Sequence, residues 1–340
     1  MSALRVTVTG ATGLIGSALL AALGERDAHV TVLSRDPARA LALLGADGRA
    51  PAEAARWEPI EEPAPAHALA GRDVVIHLAG ANVAQRWTAS AKRAIHDSRV
   101  IGTRHLVAGL RDAEPRPGTL ISASAVGYYG AHGEEPLDEE APSGEGFLAQ
   151  VCAAWEAEAQ RAGELGARVV QLRNGVVLDR RGGALQKMLV PFRLGLGGPV
   201  AGGRQYMSWV HVGDLVEMML QACADARWSG PVNATAPEPA ANRDFARALG
   251  AVLGRPALLP VPGAALRLLY GEMARTVTDG ARVVPAKALV LGYSFRHPQL
   301  VEALRSALAH GERRGGGWDG ELTPPPGCPR GEGPGGCRSR

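Results

Sequence analysis

Cysteine is scarce. The 340 residues hold four, Cys152, Cys223, Cys328 and Cys337, with no C-x-x-C pair and no zinc-ligand spacing. That excludes a disulfide framework and a thiolate metal centre, and the cysteines read as reduced thiols of a cytoplasmic protein with no metal site. No run of 18 apolar residues occurs, and "MSALRVTVTG" has neither a basic nor an apolar leader region, so neither a membrane span nor secretion is expected. Aromatic residues make up 4% against 46% hydrophobic residues, so the core must be built from Ala, Val and Leu. Lysine is confined to Lys92, Lys187 and Lys287. The formal charge is only +3, with Arg scattered along the chain, which argues against a nucleic-acid-binding surface.

What is present is an alternation of β-branched runs with helical patterns, the signature of a parallel sheet covered by helices on both faces. Strands are expected at 4–10, 29–35, 73–80, 119–125 and 167–178, with helices at 14–24, 88–111 and 147–165. Thr88 is the expected N-cap of the second helix. The fold class is therefore α/β, a Rossmann-type doubly wound sheet over 1–235, with a Gly-rich lid segment at 182–209. A smaller C-terminal α/β part follows at 236–310, including short helices at 242–253 and 263–275. Half of the thirty residues 311–340 are Gly or Pro, and this tail is expected to be disordered.

The first strand runs into "TGATGLIG", which places Gly10, Gly13 and Gly16 between a strand and a helix. Gly10 suits the tight turn, Gly13 lets backbone approach a pyrophosphate, and Gly16 permits close helix–strand packing. The helix start then directs N–H groups and its positive dipole end at phosphate. About 20 residues on, an NAD enzyme would carry a carboxylate for the ribose; here stand Ser34 and Arg35, which suit the 2′-phosphate of NADP. Asp36 is the rival, serving NAD if the register slips. "DVVIHLAGANV" puts Leu78, Ala79 and Gly80 at a strand end where a cofactor would cross the sheet edge. The alternation turns His77 into packing as a structural imidazole.

With "DSRVIGTRHLV", "LISASAVGYYG", "LRNGVVLDRRGGAL" and "MSWVHVGDL", these segments resemble the extended short-chain dehydrogenase/reductase superfamily. Within it they resemble the atypical branch of epimerase-family proteins, similar to nucleoside-diphosphate-sugar epimerases. The likeness runs from about residue 4 to 308. It implies that Gly10, Thr12, Gly13, Leu14, Ile15, Ser34, Arg35, Leu78, Ala79 and Gly80 touch the cofactor. It also implies that Arg99 reaches NADP, that Leu178 lies beside the nicotinamide, and that Ser124, with Ser122 as alternative, holds the substrate oxygen.

Reductases of this superfamily pair a Tyr with a Lys four residues later, one helical turn on. The resemblance aligns those positions with Leu148 and Cys152, and no Tyr-x-x-x-Lys exists anywhere in the chain. Three explanations stand. Tyr128 or Tyr129 supplies the proton from the loop after the Ser strand, as a weaker donor without the Lys. Cys152 acts as the acid, although a thiol among apolar neighbours reads as inert. Or NADP(H) is bound without hydride transfer, in a regulatory or sensor protein. Asp214 and Arg204 could reach a substrate; Asp214 equally suits a helix cap. The expected function is an NADP(H)-dependent oxidoreductase or epimerase-like protein acting on an unknown small molecule.

Overall fold

Strand β1 (Arg5–Thr9) leads through a glycine turn into α1 (Leu14–Gly24), followed by β2 (His29–Ser34), α2 (Pro37–Gly45), β3 (Glu53–Arg56), β4 (Val74–His77), α3 (Ala89–Asp112) and β5 (Thr119–Ala125). Next come β6 (Pro136–Leu137), α4 (Phe147–Gln160), β7 (Arg168–Asn174), β8 (Val176–Leu178), α5 (Gly183–Arg193), β9 (Tyr206–Met207), β10 (Trp209–His211), α6 (Val212–Ala224) and β11 (Gly230–Ala234). The computed structural model describes residues 3–45 and 53–309. The 311–340 tail expected to be disordered, with Cys328 and Cys337, lies outside them. Among the described residues no helix is long and apolar enough to cross a membrane.

Seven strands form one parallel sheet in the order β11-β7-β5-β4-β1-β2-β3. The chain winds one way from β1 to β3 and the other way from β4 onward, so the carboxyl ends of β1 and β4 flank a crevice. In open α/β sheets that reversal point is where ligands bind. Both sheet faces are buried. Val74, Ile76, Ile121 and Val170 pack with α1 and α6 on one side, while Val75, Leu120 and Val169 pack with α3 on the other. Near-continuous apolar strands are what such a two-faced core requires. The expected helix cap is present: Thr88 Oγ1 accepts from the Ala91 N–H at 3.2 Å.

Three features depart from the sequence expectation. The single strand expected over 167–178 divides at Gly175, where β7 stays in the main sheet and β8 pairs with β10 instead. A Cβ on Gly175 would lie 2.5 Å from the Ser208 carbonyl oxygen, so the division depends on two backbones touching. Helix α2 and the short, charged edge strand β3 are not among the expected elements. And Asp214 neither reaches the cleft nor caps α6. It is fully buried and accepts from the Tyr293 hydroxyl and from the N–H groups of Arg296 and His297. The α6 cap is His211 instead, whose Nδ1 accepts from Gly213 N–H.

The C-terminal part shares its core with helix α5 of the 182–209 segment. Leu185, Leu189 and Phe192 of α5 pack with Leu178, Trp209, Phe245, Leu249 and Leu304. The helix expected over 263–275 forms as Gly263–Tyr270 and tightens into a 3-10 turn at Gly271–Ala274.

Candidate cofactor crevice and adjoining cavity

The glycine turn is built by close approach. Gly10 has φ +68°, and a Cβ there would meet the Leu78 carbonyl carbon at 2.7 Å and the Ala79 nitrogen at 2.8 Å. Gly16 has no room either, since its Cβ would sit 2.3 Å from the Gly10 carbonyl oxygen. Gly13 N–H donates to that same oxygen at 3.0 Å. Thr12 and Gly13 are exposed, and Leu14 and Ile15 are half-buried at the start of α1. That helix start has no side-chain cap and no acidic residue in its first turn. Its free N–H groups and dipole therefore favour an anion in the crevice.

A buried relay holds the two sides of the crevice together. Thr9 Oγ1 accepts from the N–H groups of Leu78 and Ala79, each at 3.2 Å. Its one hydrogen is then left for His77 Nδ1 at 2.7 Å, so the imidazole carries its proton on Nε2 and donates to Thr103 Oγ1 at 3.0 Å. Burial, with the charge of Arg99 second, lowers the His77 pKa to about 4 and keeps the ring neutral. The imidazole is structural, as the strand alternation predicts.

At the end of β2, Ser34 Oγ bonds locally to the Asp36 backbone. The Asp36 carboxylate accepts from the Arg39 N–H at 2.9 Å, which caps α2. Arg35 is exposed beside it. Across the crevice, Arg99 donates to the carbonyl oxygens of Ala81 and Ile95 and lies over the Trp155 ring. A Cβ on Gly80 would come within 3.1 Å of the Arg99 guanidinium carbon, so the glycine makes room for the cation. Burial lowers the Arg99 pKa, opposed by the neighbouring Cys152.

The residues expected to carry the chemistry are drawn into a separate buried network. Ser124 donates to Glu156 Oε1 at 2.6 Å. Glu156 receives Arg173 through both carboxylate oxygens, each at 2.9 Å. Arg173 also donates to the Tyr129 hydroxyl at 2.8 Å, and that hydroxyl donates to Asn233 Oδ1 at 2.7 Å. Burial alone would lower the Arg173 pKa, but its bonds to Glu156 raise it above the ordinary value. Tyr129 is fully buried, and burial pushes its pKa up to about 12 despite Arg173. The Tyr128 ring is half-buried with the Arg173 guanidinium 3.6 Å from its centroid. Ser122 is buried and bonds to the neighbouring Ala123 carbonyl. Leu178 is fully buried in the C-terminal core.

Where the resemblance expects Tyr and Lys, Leu148 is half-buried and Cys152 fully enclosed. Burial and the Glu156 charge raise the Cys152 pKa to about 12, leaving a protonated thiol at neutral pH. Sequence reasoning missed Glu156 and Arg173, whose partners lie 17 to 44 residues away. It also missed His132 and Asn174, which line a cavity of about 1160 Å³ over the carboxyl ends of β5 and β7. His132 Nδ1 donates to the Tyr129 carbonyl oxygen at 2.8 Å, which leaves Nε2 as the free position of the ring.

Comparison with known proteins gives the same outline. The NAD dependent epimerase/dehydratase family model matches residues 6–233, and a domain of unknown function, DUF1731, matches residues 261–307. The chloroplastic SDR39U1 homologue of Arabidopsis thaliana, an epimerase family protein, is 38% identical over 312 residues, 90% of this chain and 87% of that one. An epimerase family protein of Mycobacterium bovis is 41% identical over 303 residues, 88% of this chain and 96% of that one. The crystal structure of human SDR39U1 isoform 2 with NADPH superposes with TM-score 0.80 at 34% identity, covering 90% of this chain and 99% of that one. UDP-glucuronic acid 4-epimerase of Bacillus cereus, at 17% identity and TM-score 0.71 over 90% of this chain and 96% of that one, shares the fold.

Proposed function

The chain belongs to the NAD dependent epimerase/dehydratase family, and we propose that it is an NADP(H)-dependent oxidoreductase of a small molecule that works without a Tyr–Lys pair. The observation that carries this reading is the crevice itself. Gly10 lies against Leu78 and Ala79 with no room for a side chain, beside an uncapped helix start. Backbone N–H groups of Leu14 and Ile15, at the start of α1, would receive the diphosphate there. Because Asp36 is engaged in capping α2, Arg35 is the charged group left for a 2′-phosphate, which favours NADP over NAD. Human SDR39U1, crystallised with NADPH, supports the same choice.

When bound, the cofactor supplies or accepts the hydride. The protein's own contribution is positional. Thr9 and His77 hold the 78–80 loop in place. Arg99, held near Cys152, is the cation that stands in for the missing Lys. Ser124 orients the network below the strand ends through Glu156. For the proton, Tyr129 and Cys152 are both shifted to about 12 by burial, which leaves Tyr128 and the cavity-lining His132 on the loop over the site. The two described cysteines are free thiols, consistent with a reducing cytoplasm.

Those same two raised pKa values favour a second reading, an NADP(H)-binding regulatory protein without turnover. Titration with NADPH and NADH, followed by NADPH consumption across a carbonyl panel, separates them. Tight NADPH binding with consumption that falls in Tyr128→Phe or His132→Gln supports the oxidoreductase; binding with no consumption supports the regulatory protein. Equal affinity for both cofactors overturns the Arg35 assignment.

A further inference from the structure

The cavity beside the crevice is lined mainly by apolar surface. Trp87, Phe147, Leu148, Met188, Phe192 and Phe245 line it, with Trp87 and Phe147 packed edge to face at 5.1 Å. Leu148 places an apolar side chain where the resemblance expects the catalytic phenol. The charged lining residues are two cations, Lys187 and Arg275, against three carboxylates, Glu145, Glu272 and Asp279, a formal charge of −1 with His132 neutral. Lys187 is committed to the Ala84 carbonyl oxygen at 2.6 Å. Glu272 is paired with Lys92 from outside the cavity.

A nucleoside diphosphate carries two or more negative charges and needs a surplus of cations to leave water. This lining has a deficit. One polar atom stands out among the apolar walls: Asn174 Oδ1, at the end of β7, is buried with no hydrogen-bond partner. A buried acceptor left unpaired costs roughly 1–3 kcal/mol, which a ligand donor would recover once the amide turns its Oδ1 out of the wall into the cavity. At the mouth, Leu196 lines the cavity while 56% exposed, and Leu194 and Leu259 extend the apolar surface outward. The Leu259 N–H donates to the Gly197 carbonyl oxygen, which brings the Leu259 backbone beside the residue that follows Leu196.

We propose that the cavity takes an uncharged molecule with a predominantly apolar body and a hydroxyl or N–H that donates to Asn174, and does not take a nucleoside diphosphate sugar. This substrate class rests on the NADP(H) reading for its chemistry but on the cavity for its binding. The test uses the full chain saturated with NADPH, Nile red as the reporter, and displacement by 1-hexanol, 1-octanol, 1-decanol, decyl methyl ether and UDP-glucose. Affinity rises roughly fourfold per methylene along the alcohols, decanol binds roughly tenfold tighter than its methyl ether, and UDP-glucose does not compete. Asn174→Leu erases the preference for decanol over the ether. Leu196→Asp, at a half-exposed position that tolerates a carboxylate, weakens decanol roughly tenfold; Val190→Asp, 64% exposed on the nearby helix α5 and outside the cavity, leaves it unchanged. Affinity independent of chain length, or displacement by UDP-glucose stronger than by decanol, overturns the proposal. NADPH binding is read separately by nicotinamide fluorescence in the absence of Nile red. Failure there removes the cofactor reading, while the alcohol series still decides the cavity.

Discussion

The Ser124 hydroxyl lies 2.6 Å from Glu156 Oε1 and donates to it, deep beneath the strand ends. Two residues 32 apart in sequence thereby tie β5 to α4, and Arg173 extends the tie to β7 through both Glu156 oxygens. The hydroxyl that resemblance assigns to substrate is thus a member of an ion-paired core, and the carboxylate one turn beyond Cys152 organises it.

Breaking that pair should be costly. Arg173 and Glu156 are both enclosed, with side chains 4% and 9% exposed. Glu156→Leu leaves the guanidinium buried and unpaired and should remove about 3–5 kcal/mol of stability by urea unfolding. The double replacement Glu156→Leu with Arg173→Met should recover most of it, since neither charge is then stranded.

The neutral His77 makes stability depend on pH. Its folded pKa of about 4 lies below the ordinary 6.5, so between those values the unfolded chain binds the proton that the folded chain refuses. Stability contributed by the neutral ring is complete above about pH 6.5 and falls toward pH 4 by about 1.4 kcal/mol per unit. Urea midpoints at pH 7, 6 and 5 check this. In His77→Gln the part of the slope due to this residue should disappear.

Gly16→Ala puts a Cβ against the Gly10 carbonyl oxygen, at 2.3 Å in the undisturbed backbone. Helix α1 must shift away from β1 to accept it. The expected outcome is at least roughly tenfold weaker NADPH binding, measured by fluorescence titration, with destabilisation of about 1–3 kcal/mol from overpacking.

Arg99→Ala should weaken NADPH binding roughly tenfold, and Arg99→Lys should restore part of it because the charge survives while the fork to the Ala81 and Ile95 carbonyls is lost. Affinity equal to that of the original chain in Arg99→Ala would show that the cation serves only the packing against Gly80 and Trp155.

The readable parts of the fold were local ones. Gly10, Gly13 and Gly16 span seven residues, and their roles follow from a strand meeting a helix. Thr88 caps the helix that begins at the next residue. Helix α2 was missed because its signal, Asp36 followed by Pro37, was read instead as a cofactor question. The division at Gly175 was missed because β7 and β8 form one continuous Val- and Leu-rich stretch, and what separates them is the Ser208 backbone some thirty residues later.

The sequence by itself determined the doubly wound sheet and the glycine turn, and it sets Arg35 after the end of β2, because each depends on residue types within one or two turns or strands. Only the tertiary structure decided which polar groups are free to act. Ser124, Tyr129 and Asp214 look like site residues in one dimension. Whether each meets a ligand or a partner depends on Glu156, Asn233 and the 293–297 segment, brought there by packing across 32, 104 and about 80 residues. A hydrogen bond satisfied in the core leaves no mark on the local pattern. The same is true of an acceptor left unsatisfied in a cavity, as at Asn174.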